Sequence, residues 1–82
     1  MTYDDILTLV KQAIMECNGA DDVGDEQSIS EPVHRGGCDL DWSDRAVLYG
    51  KLEQDFGFEI EGEFATPARL ASFIGKQLAV EA

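Results

Sequence analysis

Apolar residues recur every three or four positions along three stretches of the chain, and this spacing predicts three amphipathic helices. Ile6, Leu9, Val10, Ala13, Ile14 and Cys17 form the first stripe and place a helix over residues 2–17. Asp4 and Asp5 fall in its first turn, where carboxylates favour the positive end of the helix dipole, and Asn18-Gly19 supplies a left-handed stop. The second stripe is Ala46, Tyr49, Leu52 and Phe56 with Leu48 beside it, predicting a helix over 43–56 that Gly57 ends. Asp41 or Ser43 is available to cap its first-turn amides. Gly50 is a flaw within it, costing about 1 kcal/mol relative to Ala. Thr66 as N-cap and Pro67 in the first helical position open a third helix, whose stripe is Leu70, Phe73, Ile74 and Leu78.

The connections are unequal. Residues 18–40 make a long loop with Gly19, Gly24, Pro32, Gly36 and Gly37 and the acids Asp21, Asp22, Asp25 and Glu26; Ile29, Val33 and Leu40 are its expected anchors on the core. Residues 58–61 alternate apolar and acidic, but no second strand is available to pair with them, so an extended linker is expected. Residues 62–65 are expected to form one helical turn carrying Phe64 inward. Amphipathic helices must pack on one another to bury their stripes. The expected architecture is therefore all-α: one domain over residues 1–82, a small three-to-four-helix bundle with a long first loop.

Composition narrows the function classes. Against 17 Asp and Glu stand 6 Lys and Arg, a formal charge of −11. That sign repels nucleic-acid backbones and anionic membrane surfaces and attracts basic protein patches or cations; the plainer alternative is that it serves solubility alone. The chain is 44% apolar, enough for one modest core and against wholesale disorder. No apolar run is long enough to span a bilayer. The opening residues are acidic, unlike a secretory signal, and Cys17 and Cys38 are the only cysteines. Reduced thiols in the cytoplasm are thus expected rather than a disulfide framework.

Residues with catalytic or metal-binding chemistry are sparse. His34 and Cys38 lie four apart, but Gly36-Gly37 between them argues against a helix, and two soft ligands do not make a zinc site. Asp39, Asp41 and Asp44 lack the spacing and distal Glu of a calcium loop. The single His has no evident nucleophile beside it, and no ordinary substrate pocket fits so small a domain, so the expectation is a protein without catalysis of its own.

The segment Asp39-Leu40-Asp41-Trp42-Ser43-Asp44-Arg45 joins the glycine-containing loop to the second helix. A side chain at that junction is exposed near the positive end of a helix dipole, a favourable place to attach an anionic phosphodiester. Trp42 there is a contact residue if its indole stays exposed. Local sequence favours the plainer reading, in which Trp42 packs over the core and Ser43 caps the helix.

Leu52-Glu53-Gln54-Asp55-Phe56-Gly57-Phe58-Glu59-Ile60 resembles the Leu-Glu-x-x-Phe-Gly-x-x-Ile run of acyl carrier proteins, and residues 63–74, Glu63-Phe64-Ala65-Thr66-Pro67 onward, resemble that family's ending. With the acidic first loop, the resemblance extends over essentially the whole chain. It implies a bundle of acyl carrier protein type. In that family a Gly-x-Asp-Ser-Leu motif opens the second helix, and its Ser carries 4′-phosphopantetheine, whose thiol holds an acyl group. Counting back without gaps from Phe56 puts the motif's Asp on Asp41, its Ser on Trp42 and its Leu on Ser43. A shift of one residue makes Ser43 the attachment site.

Two functions follow. One is a carrier: Ser43 holds the phosphopantetheine and presents an acyl or aminoacyl thioester in fatty acid or secondary metabolite biosynthesis. Its partners are then a phosphopantetheinyl transferase and acyl- or aminoacyl-handling enzymes with basic patches, which meet a monomer at Asp41, Trp42, Asp44, Val47 and Glu53. The other is an unmodified carrier-like adaptor that binds a partner protein through the Trp42 region without cargo. Arg45, Val47 and Lys51 interrupt the acidic face that the resemblance implies, pointing to a specialised partner set.

Overall fold

The computed structural model describes residues 2–81, and the side chains of residues 2–79. The first helix, α1 (Tyr3–Asn18), starts on a reciprocal cap. Thr2 Oγ1 accepts from the Asp5 amide at 3.2 Å, and Asp5 Oδ2 accepts from the Thr2 amide at 3.1 Å. The hydrogen bonds from Thr2 hold the Asp5 carboxyl below its usual range. Gly19, at φ +72°, closes the helix in the left-handed conformation that glycine adopts without a side-chain penalty. Ile6, Val10, Ala13 and Ile14 of the expected stripe are buried, with Cys17 half-buried at its end; Leu7 is buried as well, while Leu9, expected in the stripe, is only half-buried.

The second long helix, α2 (Trp42–Phe56), buries Leu48 and Leu52 and half-buries Tyr49 and Phe56. Ala46, expected on this face, is exposed instead. The buried stripe is centred on Leu48 and Leu52, and at about 100° per residue Ala46 lies roughly 200° around the axis from Leu48. The third, α3 (Pro67–Glu81), follows Thr66, whose Oγ1 accepts from the Arg69 amide at 3.3 Å. Leu70, Ala71 and Ile74 are buried, with Phe73 and Leu78 packed at the edge. α1 is the central element, touching both α2 and α3.

The long loop is ordered by its own hydrogen bonds. Ile29 N–H donates to Ala65 at 3.0 Å and Ala68 N–H to Asp25 at 2.9 Å, which ties the loop to the start of α3. Cys38 and Leu40 return along Ser28 and Ile29 through bonds of 2.8 and 3.1 Å. Val23, Ile29, Cys38 and Leu40 anchor it in the core. Val33 does not: it is 71% exposed, because it opens a short 3₁₀ turn (Val33–Arg35) that projects outward, and Cys38 and Val23 fill the places nearer the core. Gly37 is required by space, since a Cβ there would lie 2.1 Å from the Glu31 carbonyl oxygen.

Residues 62–65 form no helical turn. Gly62 sits at φ +99°, outside the helical region, and the Ala65 carbonyl accepts from the Ile29 amide rather than from a following turn. Phe64 nonetheless points inward, edge-on to Tyr49 at 6.3 Å between ring centroids and tilted against Phe73 at 5.0 Å. Residues 58–61 form neither strand nor helix. The described residues thus make a three-helix bundle with no strand, and none of their helices is long and apolar enough to cross a membrane.

Candidate functional site

The junction before α2 is built by its carboxylates. Asp41 Oδ1 accepts from the Asp44 amide at 2.9 Å, and Asp44 Oδ2 accepts from the Asp41 amide at 3.3 Å. This reciprocal box starts the helix at Trp42, one residue before the expected position, and gives the capping duty to Asp41 alone. Ser43 is left as the second helical residue, with its side chain exposed. It is nine residues from the buried Leu52, so at about 100° per residue the two point roughly 180° apart. Ser43 therefore stands at the solvent pole of α2, with Val47, 66% exposed, one turn below it.

Trp42 is 75% exposed, so the indole does not pack over the core as local sequence favours. The capping box explains this. With Trp42 fixed as the first helical residue, its side chain leaves the axis about 80° from Leu52 and about 120° from Leu48, beyond the rim of the core. Asp41, Trp42, Asp44 and Val47 consequently gather around Ser43 in the first two turns. Glu53 does not join them: it lies about 15 Å further along the axis, and its Oε2 accepts from the Ile60 amide at 2.8 Å, tying down the linker after α2.

The flanks of α2 differ. Toward α1, Glu16, Cys17, Asp44, Val47 and Lys51 line a groove of 370 Å³, in which Lys51 pairs with Glu16. Burial pushes the Cys17 thiol up, and the neighbouring Asp44 carboxylate adds to this. Burial also raises the Cys38 thiol. Both cysteines are free, and neither has the electropositive surroundings that activate a thiolate. On the opposite flank Arg45 approaches Glu63 at 3.8 Å. The two cations expected to break the acidic face are thus each set against a carboxylate of another element.

Sequence reasoning missed a pocket on this second flank. Ser30, Arg45, Tyr49, Glu63, Phe64 and Ala65 enclose 260 Å³. The Tyr49 hydroxyl is buried there with no hydrogen-bond partner, the Phe64 backbone lying near it. Burial pushes the phenol's ionisation up. The signal was available: an Arg and a Tyr at i and i+4 on the inner edge of a helix share one face.

The remaining candidates stay apart. His34 is exposed on the 3₁₀ turn while Cys38 is buried, and the carboxylates of Asp41 and Asp44 are engaged in capping. No cluster of three or more His, Cys, Asp or Glu able to hold a metal occurs among the described residues. No family model matches the chain, and no curated protein or solved structure matches it either.

Proposed function

We propose that this protein is a carrier of acyl carrier protein type, in which Ser43 accepts 4′-phosphopantetheine and presents an acyl or aminoacyl thioester to partner enzymes. The observation that carries this reading is the position of the Ser43 hydroxyl: exposed, relieved of capping by Asp41, and at the pole of α2 opposite Leu52. A phosphodiester there faces the positive end of the α2 dipole, which fits the group. The arm supplies the reactive thiol; the chain supplies binding and presentation and needs no catalysis of its own. The pairing of Lys51 with Glu16 leaves Asp41 and Asp44 to dominate the field at the start of α2, which suits a transferase and partner enzymes with basic patches. The protein works in this reading as a cytoplasmic monomer.

The exposure of Trp42 and Val47 favours a second reading, an adaptor that binds a partner through this apolar pair inside an acidic rim. One experiment separates the two. Incubation with coenzyme A and a broad-specificity phosphopantetheinyl transferase is expected to add the mass of one phosphopantetheine, and Ser43→Ala to abolish the gain. An unchanged mass with several transferases, including the host's own, leaves the adaptor.

A further inference from the structure

Buried polar groups are nearly always hydrogen-bonded, and each exception calls for a reason. One exception, the Tyr49 hydroxyl, faces the 260 Å³ pocket between α2 and the 63–65 segment, beside the half-buried guanidinium of Arg45. The Tyr49 hydroxyl is buried without a partner, and the edge-on packing of its ring against Phe64 fixes where that hydroxyl points. The Arg45 side chain is only 21% exposed, yet its one ion-pair contact among the described residues, Glu63, lies at 3.8 Å, beyond hydrogen-bond length. Glu63 itself is 86% exposed and belongs mostly to solvent. A phenol and a guanidinium, both donors, therefore share one small volume with no acceptor at bonding distance. A planar anion matches this pair: guanidinium forks bind carboxylates through two parallel hydrogen bonds, and the phenol can supply a third.

We propose that this pocket binds a carboxylate through Arg45 and Tyr49, with the Glu63 side chain as a tethered competitor at its mouth. Glu63 already brings a carboxylate to within 3.8 Å of the guanidinium, so the approach is open to that group, and its exposure lets it swing aside. The pocket also assigns a cargo class, in a step that rests on the carrier reading: an acyl chain ending in a carboxylate. Tyr49 is six residues from Ser43, about 9 Å along the helix axis, and on the flank of α2 away from α1.

The test uses the unmodified chain, so its outcome is independent of whether Ser43 is ever loaded. Sodium propionate and sodium succinate are titrated at fixed pH and ionic strength, with succinamide as the uncharged control, and followed by proton–nitrogen spectra. Saturable shifts are expected at the Arg45 side chain and at the Phe64 and Ala65 amides for the carboxylates and not for the diamide. Tyr49→Phe, which keeps the ring, should weaken binding roughly tenfold, Arg45→Gln at least as much, and Glu63→Gln should tighten it. Linear shifts without saturation, equal shifts from succinamide, or unaltered affinity in Tyr49→Phe with a native-like spectrum overturn the proposal.

Discussion

Replacing Tyr49 with Phe removes one oxygen and leaves the ring against Phe64 and the apolar edge of α2 intact. In most proteins deleting a buried hydroxyl breaks a hydrogen bond and costs stability. Here the hydroxyl has no partner to lose, and a buried unpaired polar group carries a penalty of about 1–3 kcal/mol. The substitution relieves that penalty, so Tyr49→Phe is expected to stabilise the empty protein by about 1 kcal/mol, the low end being appropriate for a residue at the core's margin. In a domain of this size that is a rise in Tm of about 4–8 °C. Thermal unfolding followed by far-ultraviolet circular dichroism, in a buffer free of carboxylates, measures it directly. Adding a carboxylate should then raise the Tm of the native chain more than that of the variant, because a ligand that binds only the folded state stabilises it by mass action. A variant that melts lower than the native chain by a similar amount refutes the reasoning, since it means the phenol is satisfied in solution.

Two further outcomes follow from the same geometry. Nothing lies within 4 Å of a Cβ built on Gly50, inside α2, so Gly50→Ala should stabilise by about 1 kcal/mol, read as a higher midpoint in urea; no gain would mean that α2 is not helical there. Stability should also fall in alkali. Burial raises Cys17 and Cys38 above the usual thiol value of 9.0 and Tyr49 above the usual phenol value of 10.0, so these groups keep their protons in the folded chain and lose them on unfolding. Their contribution is intact below the unfolded values and is lost as pH rises through the folded ones. Urea midpoints should therefore decline from about pH 9 upward, and a midpoint that holds constant there contradicts the burial of all three.

The helices were legible because their information is local. Thr66 before Pro67 announces a start, Gly19 and Gly57 announce ends, and most of the α1 and α3 stripes follow from spacing, although Thr2 proves to be a cap rather than a helical residue and Leu7 is buried where Leu9 was expected. What escaped depends on distant contacts. Val33 reads as an anchor because it is apolar, but the path of the loop is set by bonds from Ile29 to Ala65 and from Ala68 to Asp25, and these give the core positions to Val23 and Cys38. Residues 62–65 have no local reason to avoid a helical turn; the Ile29 bond and the conformation of Gly62 decide it. At the site, the acids of 41 and 44 were visible, but not that each caps the other. That one pairing settles where α2 begins, and with it the exposure of both Trp42 and Ser43.

The phase of α2 is what weighs between the two registers of the attachment motif. A gapless count selects Trp42 because it measures distance from Phe56, but a modifying enzyme meets a surface, and the surface is set by the buried stripe. Taking Leu48 and Leu52 as the inward direction, Ser43 lies about 20° from the outward pole, with Ala46 about 40° to one side of that pole and Val47 about 60° to the other, while Trp42 lies on the flank that also carries Arg45 and Tyr49. The exposed hydroxyl is thus offered at the crest of the helix with an apolar side chain one turn below it, and the indole stands between that crest and the flank of the carboxylate pocket. Such an arrangement supports an order along one helix: attachment at Ser43 and recognition of an acidic end at Arg45 and Tyr49, with Trp42 flanking the way between them. It also separates the two readings of the indole physically. An adaptor needs Trp42 for affinity, whereas a carrier needs only that it leave the hydroxyl uncovered.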